Sequence, residues 1–274
     1  MAEGMERVTR TGMIGLGAMG NPMARHKATK GFAVAGYDVV ADLNAKASKQ
    51  GIKAAASPAE VGREAEVVVI MVATDGQVMD VVLKEGLLDS LKPGSVICIA
   101  SSVSPDTCRH LEAKAAEKGV GVLDTPVVLG QKACDEGTMT VFVGGEEKWF
   151  RVAEPVLKTF GRHVIHLGPS GTGQIAKTAN NMLLWACMSA NYEVLTLAKK
   201  LGADLPRLIQ ALQHSSGANW SLAKWGESTG KWAEKDLDVA IDLAQESKVP
   251  VPLSALVDQL MKGMNNEKMR ALLS

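Results

Sequence analysis

Apolar positions follow two regimes along the chain. Through residue 167 they gather in short continuous runs, many β-branched, at 12–14, 32–37, 66–72, 95–100, 120–123, 138–144 and 163–167. Runs of this kind suit strands covered on both faces, and the stretches between them carry helical spacing, over 41–50, 76–83, 105–118 and 146–157. Strand and helix in alternation imply parallel crossovers, hence a doubly wound α/β sheet whose last strand, 163–167, lies at an edge. Gly119 stops one of these helices. At Gly168-Pro169-Ser170-Gly171-Thr172-Gly173 the pattern changes, and strand signals end. From residue 174 to about 201, Ile175, Ala179, Met182, Leu183, Ala186, Ala190, Leu197 and Leu201 keep a helical period without proline. Such a helix is roughly 40 Å long at 1.5 Å per residue, long enough to bridge two lobes. Residues 205–273 continue in helical pattern, broken at Gly217, Gly226, Gly230, Pro250 and Pro252. The expected division is therefore an α/β domain over 1–169 and an all-α domain over 170–274 that begins with the long helix.

Between the first run and the first helix stands Gly15-Leu16-Gly17-Ala18-Met19-Gly20, followed by Met23, Ala24 and Ala28 at helical spacing. Strand, glycine turn and helix in that order suit a dinucleotide pyrophosphate, which needs tight backbone, close approach and unpaired helix N–H groups. A second run ends in Asp38, eighteen residues after Gly20. A carboxylate there accepts hydrogen bonds from both ribose hydroxyls and repels a 2′-phosphate, which favours NAD over NADP. A glycine turn in a cofactor-free α/β domain is the plainer alternative.

Composition narrows the field. The 274 residues are 46% hydrophobic and 22% charged, ordinary for a globular protein. Lysine plus arginine equals aspartate plus glutamate at 30 each, so no charge excess favours nucleic acid, and a small-molecule substrate becomes the default partner. The apolar runs are far shorter than a membrane span, and the first ten residues carry two glutamates and two arginines without an apolar core, so neither membrane insertion nor export is expected. Cys98, Cys108, Cys134 and Cys187 show no paired spacing, as in a reduced cytoplasmic protein. His163 and His166 fall on opposite faces of a strand, and no metal site is expected.

Lys177 lies one turn into the long helix, beside the glycine-rich junction, with Asn181 four residues on and Asn180 beside it. A partly desolvated lysine held by an amide oxygen serves as general acid or base near neutral pH. Spacing alone equally allows a surface lysine; two amides on an otherwise apolar helix favour function, because buried amides are costly without partners.

These motifs, taken together, resemble the β-hydroxyacid dehydrogenase family, which includes 3-hydroxyisobutyrate dehydrogenases, tartronate semialdehyde reductases and succinic semialdehyde/glyoxylate reductases. The resemblance spans nearly the whole chain through the glycine turn with Pro22-Met23-Ala24, Asp124-Thr125-Pro126-Val127, Gly171 to Lys177 with Asn180-Asn181, and Lys235-Asp236-Leu237. It implies a Rossmann lobe, an interdomain helix, a helical lobe and assembly as a homodimer or homotetramer. It also implies Lys177 as catalytic acid/base supported by Asn181, and NAD contacts at Gly15, Gly17, Ala18, Met19, Gly20, Asp38, Val72, Ser102 and Lys235. The implied substrate site includes Val127, Val128, Leu129, Gly130 and Asn180. The implied chemistry is hydride transfer between nicotinamide and a carbinol carbon.

The chain departs from the pattern at one informative place. Where the family reads Asp-x-Pro-Val-Ser-Gly-Gly, this chain reads Asp124-Thr125-Pro126-Val127-Val128-Leu129-Gly130, so a serine hydroxyl and one glycine are replaced. Gln131 or Lys132 could take over the lost substrate anchor. Between Gly217 and Lys235 the chain is shorter than the family's pattern and carries Trp220, Trp225 and Trp232, for which core packing is the simplest reading. The leading function is oxidation or reduction between a hydroxy acid and its semialdehyde. A second reading has the same fold acting on a bulkier β-hydroxy amino acid or another carbonyl compound. A third is a non-catalytic dinucleotide-binding assembly module, which predicts loss of the lysine or the glycine turn.

Overall fold

The computed structural model describes residues 8–227, 230 and 232–273. Two compact units divide at Lys177 and Thr178. In the first, the chain runs through β1 (Arg10–Ile14), α1 (Gly20–Thr29), β2 (Ala33–Tyr37), α2 (Ala41–Ser48), β3 (Lys53–Ala54), α3 (Pro58–Glu64) and β4 (Val67–Ile70). It continues through α4 (Asp75–Met79), a π-helical turn at Asp80–Lys84, α5 (Leu87–Ser90), β5 (Val96–Ile99), α6 (Pro105–Ala116), β6 (Gly121–Asp124), β7 (Val127–Val128) and α7 (Gly130–Glu136). Then follow β8 (Met139–Gly144), α8 (Glu147–Leu157), β9 (Gly161–Gly168) and α9 (Thr172–Lys200), whose last 23 residues, from Thr178, belong to the second unit.

The sheet order is β3-β2-β1-β4-β5-β6-β8-β7, with β9 beside β8. The order reverses at β1, so the connections that leave the carboxyl ends of β1 and β4 run in opposite directions along the sheet and open the crevice where doubly wound folds bind ligands. Continuous apolar strands are buried on both faces. Val67 and Val69 enter one core cluster while Val68 and Ile70 enter the other, all four with no exposed surface. Crossovers from β1 to β6 are parallel as expected, but β8 runs antiparallel to β6 and β7. The reason is local: β7 and α7 occupy a segment the apolar pattern did not resolve, and they turn the chain back. Also unforeseen are β3, α3 and α5, each seven residues or fewer, too short for a periodicity to register. The 76–83 helix proves to be α4 running into the π-helical turn.

The second unit carries the rest of α9, then α10 (Leu205–Leu212), α11 (Trp220–Ala223), α12 (Ala233–Glu246), α13 (Pro252–Lys262) and α14 (Asn266–Ala271), around Trp185, Met188, Leu195, Trp225, Leu237 and Met261. Pro252 opens α13 at its first turn, where a missing N–H is harmless, and does not interrupt a helix. Of the three clustered tryptophans only Trp225 is core; Trp220 and Trp232 are exposed, so core packing accounts for one of them. Residues 228, 229 and 231 of that shortened stretch lie outside the described residues. Among the described residues no helix is long and apolar enough to cross a membrane.

Candidate active site

The glycine turn follows β1 directly. Gly15 has φ +87° and donates its N–H to Tyr37 O at 2.9 Å; a Cβ there would lie 2.1 Å from Met71 O. A Cβ on Gly20 would lie 1.9 Å from Gly15 O, whereas one on Gly17 would meet nothing within 4 Å. The outer glycines are thus dictated by the protein's own backbone, and the middle one keeps an open face clear for a ligand. The N-terminus of α1 has no side-chain cap and no acidic residue in its first turn, so an anion can use its amides.

Asp38 closes the turn from β2. Its Oδ2 accepts from Leu16 N at 2.7 Å and its Oδ1 from Val40 N at 2.9 Å. A carboxylate has about four acceptor positions, so two backbone bonds orient it and leave capacity for ribose hydroxyls. The next two residues are the exposed Val39 and Val40, not the cation that a 2′-phosphate needs. Turn, bare helix end and carboxylate together fit NAD.

Across the crevice, Val72 N donates to Ser101 Oγ at 2.8 Å, and Gln174 Nε2 donates to Ser101 O at 2.8 Å. Ser101 is buried and used by the fold; Ser102, the member of the pair with the implied cofactor role, is half-buried.

The helix that carries Lys177 is held at its first turn by Asp124. This fully buried carboxylate accepts from Gly171 N at 2.7 Å through Oδ1 and from Gln174 N at 2.9 Å through Oδ2. Burial pushes its carboxyl above the ordinary range, while the backbone donors pull it back. Cβ atoms on Gly144 or Gly173 would stand 2.5 or 2.8 Å from the carboxylate oxygens, so both glycines make room for it. One turn on, the half-buried Lys177 donates from Nζ to Val127 O at 2.9 Å. Asn180 Nδ2 donates to the buried Asn181 Oδ1 at 3.0 Å. The lysine therefore takes a backbone carbonyl as partner, and the Asn181 oxygen takes its neighbour's amide.

The segment from Val127 to Gln131 ties these parts together. Val127 and Val128 are buried in β7. Gln131 Nε2 donates to Ala18 O in the glycine turn at 2.9 Å and to Asp135 Oδ1 at 2.9 Å, and Cys134 Sγ donates to Met19 O at 3.2 Å. Both N–H bonds of Gln131 serve structure, which argues against it as the replacement substrate anchor. Leu129, at φ +84°, adopts a left-handed conformation that costs a residue with a Cβ about 1–2 kcal/mol.

Sequence reasoning gave no separate role to Asp124, Gln174, Ser101 or Cys134, whose partners lie 29 or more residues away. Lys235 is exposed in the first turn of α12. Cys98, Cys108 and Cys134 are buried, and burial pushes Cys98 and Cys134 up to about 12, which makes them inert thiols. Among the described residues no three His, Cys, Asp or Glu side chains are grouped to hold a metal.

Two family models cover the chain. Residues 10–168 match the NAD binding domain of 6-phosphogluconate dehydrogenase, and residues 171–272 match the NAD-binding domain of NADP-dependent 3-hydroxyisobutyrate dehydrogenase. A 2-(hydroxymethyl)glutarate dehydrogenase of Eubacterium barkeri is 33% identical over 94% of this chain and 90% of its own. An NAD-dependent L-serine dehydrogenase of Pseudomonas aeruginosa is 32% identical over 91% of this chain and 90% of its own. The structure of 3-hydroxyisobutyrate dehydrogenase from Mycobacterium tuberculosis with L-serine superposes with a TM-score of 0.87 at 26% identity, covering 97% of this chain and all of that one.

Proposed function

The chain belongs to the β-hydroxyacid dehydrogenase family, and on that premise we propose that it interconverts a 3-hydroxy acid and its semialdehyde, with Lys177 as the proton-transfer group. The compounds named for its relatives, 2-(hydroxymethyl)glutarate, L-serine and 3-hydroxyisobutyrate, share a primary hydroxyl one carbon from the carbon bearing a carboxylate. They differ in the other group on that carbon. Bound NAD supplies the hydride acceptor. In the oxidising direction the hydroxymethyl carbon gives up hydrogen with both electrons of its C–H bond. The hydroxyl proton passes to the Lys177 amine, and the C–O bond becomes a carbonyl; the reduced direction reverses each transfer. Residues 1–169 serve as the cofactor domain and 170–274 as the helical domain, with Asn180 as a substrate-binding residue and Asn181 as support for the lysine.

The carrying observation is the connection of Lys177 to Val127 O on the same short segment that Gln131 joins to the glycine turn, so proton-transfer group and cofactor cradle share one support. The test is a panel of 3-hydroxy acids and semialdehydes with NAD(H) and NADP(H), read by reduced-nicotinamide absorbance. No turnover of any member with NAD(H) sinks the reading. Asp38→Asn weakens binding of both cofactors, since the amide replaces one acceptor oxygen. It also removes the charge that repels a 2′-phosphate, so the kcat/KM preference for NAD over NADP should shrink by about tenfold, ~1.4 kcal/mol. An unchanged ratio excludes Asp38 from the ribose.

The assembly implied by the resemblance has a candidate surface on α9. Leu183, Cys187, Ala190, Val194, Leu197 and Leu201 alternate at spacings of four and three and line one side of the helix; all but the half-buried Cys187 are exposed. That alternation is the seam a second helix fits, and monomers rarely leave such stripes uncovered. On α13, Leu253, Leu256 and Leu260 are likewise exposed. We infer that a second copy covers this face. The parent should sediment as a dimer or tetramer at micromolar concentration and Leu197→Glu as a smaller species; a monomeric parent excludes the interface.

A further inference from the structure

We propose that Leu129 sets substrate specificity, selecting 3-hydroxy acids whose variable carbon bears an apolar substituent. The inference rests on the hydroxyacid dehydrogenase reading and adds the substrate class. Among the described residues only Leu129 and Lys248 combine a side chain with positive φ. Lys248 follows the C-terminus of α12, where a left-handed residue is a common helix stop. Leu129 instead precedes the first residue of α7, a position that ordinarily takes extended backbone. Glycine would hold this turn without strain, and the family pattern has glycine there. Core burial does not compensate, for Leu129 is 37% exposed, while its neighbours Val127 and Val128 are buried. A strained, branched, apolar side chain is thus held open to solvent.

Its chain neighbours place it beside the reacting groups. Two residues before it, Val127 O accepts from Lys177 Nζ; two residues after it, Gln131 Nε2 donates to Ala18 O. Leu129 is the middle residue of a five-residue bridge between the proton-transfer group and the cofactor turn, and its exposed side chain leaves the backbone between the two groups that the substrate's reacting end must meet. The substrates named for the relatives vary at the carbon next to the hydroxymethyl group, within reach of a residue so placed. An exposed leucine there gives an apolar substituent a surface to bury and gives a charged or hydrogen-bonding one nothing.

The experiment compares the parent with Leu129→Gly and Leu129→Ala on 3-hydroxypropanoate bearing hydrogen, methyl or propyl on the second carbon, and on L-serine, at saturating NAD. The parent should favour propyl over hydrogen, and Leu129→Gly should lower that kcat/KM ratio by at least about tenfold. Leu129→Gly should also melt about 2–4 °C above Leu129→Ala, since alanine keeps the Cβ and its strain. A parent that oxidises the series without preferring the apolar members, or a ratio unmoved by glycine, overturns the assignment while leaving the dehydrogenase reading intact. A parent inactive on every member overturns both. A glycine variant that melts below the alanine variant removes the strain and overturns the proposal.

Discussion

Lys177→Ala is expected to lower kcat by about 10²–10⁴-fold, the range a positioned acid or base contributes. The loss should fall on the chemical step. The cradle of Gly15, Gly17, Gly20 and Asp38 is built from β1, β2 and α1 and is held by bonds of its own, Leu16 N to Asp38 and Gly15 N to Tyr37 O. NAD affinity, followed by quenching of intrinsic fluorescence, should therefore change little. The bond from the half-buried lysine to Val127 O has a neutral acceptor and is worth about 0.5–1.5 kcal/mol, a loss the fold should survive. Lys177→Arg separates charge from proton transfer, because a guanidinium keeps its proton throughout the accessible pH range. If Lys177 acts as acid and base, arginine is nearly as poor as alanine; if it only positions a carboxylate by charge, arginine restores much of the rate. A kcat for the alanine variant within a fewfold of the parent's removes Lys177 from the chemistry.

What could be read in the sequence was whatever is local and periodic. The continuous run Val67 to Ile70 announced a strand covered on both faces, because no other arrangement buries four successive side chains. The glycine turn was legible for the same reason: a strand end, a φ that a side chain resists and a helix start lie within six residues. The run from Ile175 to Leu201 was legible as a helix and uninformative about direction, and six of the eight apolar positions that defined it turn out to face solvent. Periodicity reports that one face is apolar and leaves open what covers it.

Long-range polar bonds were out of reach. Lys27 lies on the inward side of α1 and is fully buried, its Nζ donating to Gly12 O at 2.7 Å, with burial lowering its pKa to about 7. A lysine in an amphipathic helix is ordinarily placed at the surface, and only the paired carbonyl explains this one. Leu129 shows the opposite limit: the departure from glycine was visible in the sequence, but its left-handed backbone was not, and the strain is what separates a chance substitution from a specificity element.

Asp124→Ala is the second substitution expected to have a large effect, and it tests how the lysine is placed. Alanine leaves the amides of Gly171 and Gln174 buried without their acceptor, at a cost of about 1–3 kcal/mol each. It also frees the first turn of α9, which Asp124 anchors to the end of β6. Gln174 sits in that turn and bonds Ser101 O and Val103 N, so the loop after β5 loosens with it. A shift of about 1 Å in a reacting group can cost about 10²-fold in rate. Asp124→Ala should therefore melt several degrees lower and lose kcat by about that factor, while the cradle on β1 and β2 still binds NAD. Asp124→Asn keeps the volume but offers one acceptor oxygen, and its amide meets the other N–H donor-to-donor, so it should fall between parent and alanine in both melting temperature and kcat. Burial disfavours the charge on Asp124 while the backbone donors favour it, so the asparagine variant reads the missing acceptor together with the missing charge at unchanged volume. Were both variants to keep the parent's kcat despite a lowered melting point, Asp124 would matter to folding alone, and the position of Lys177 would have to be set from elsewhere along α9.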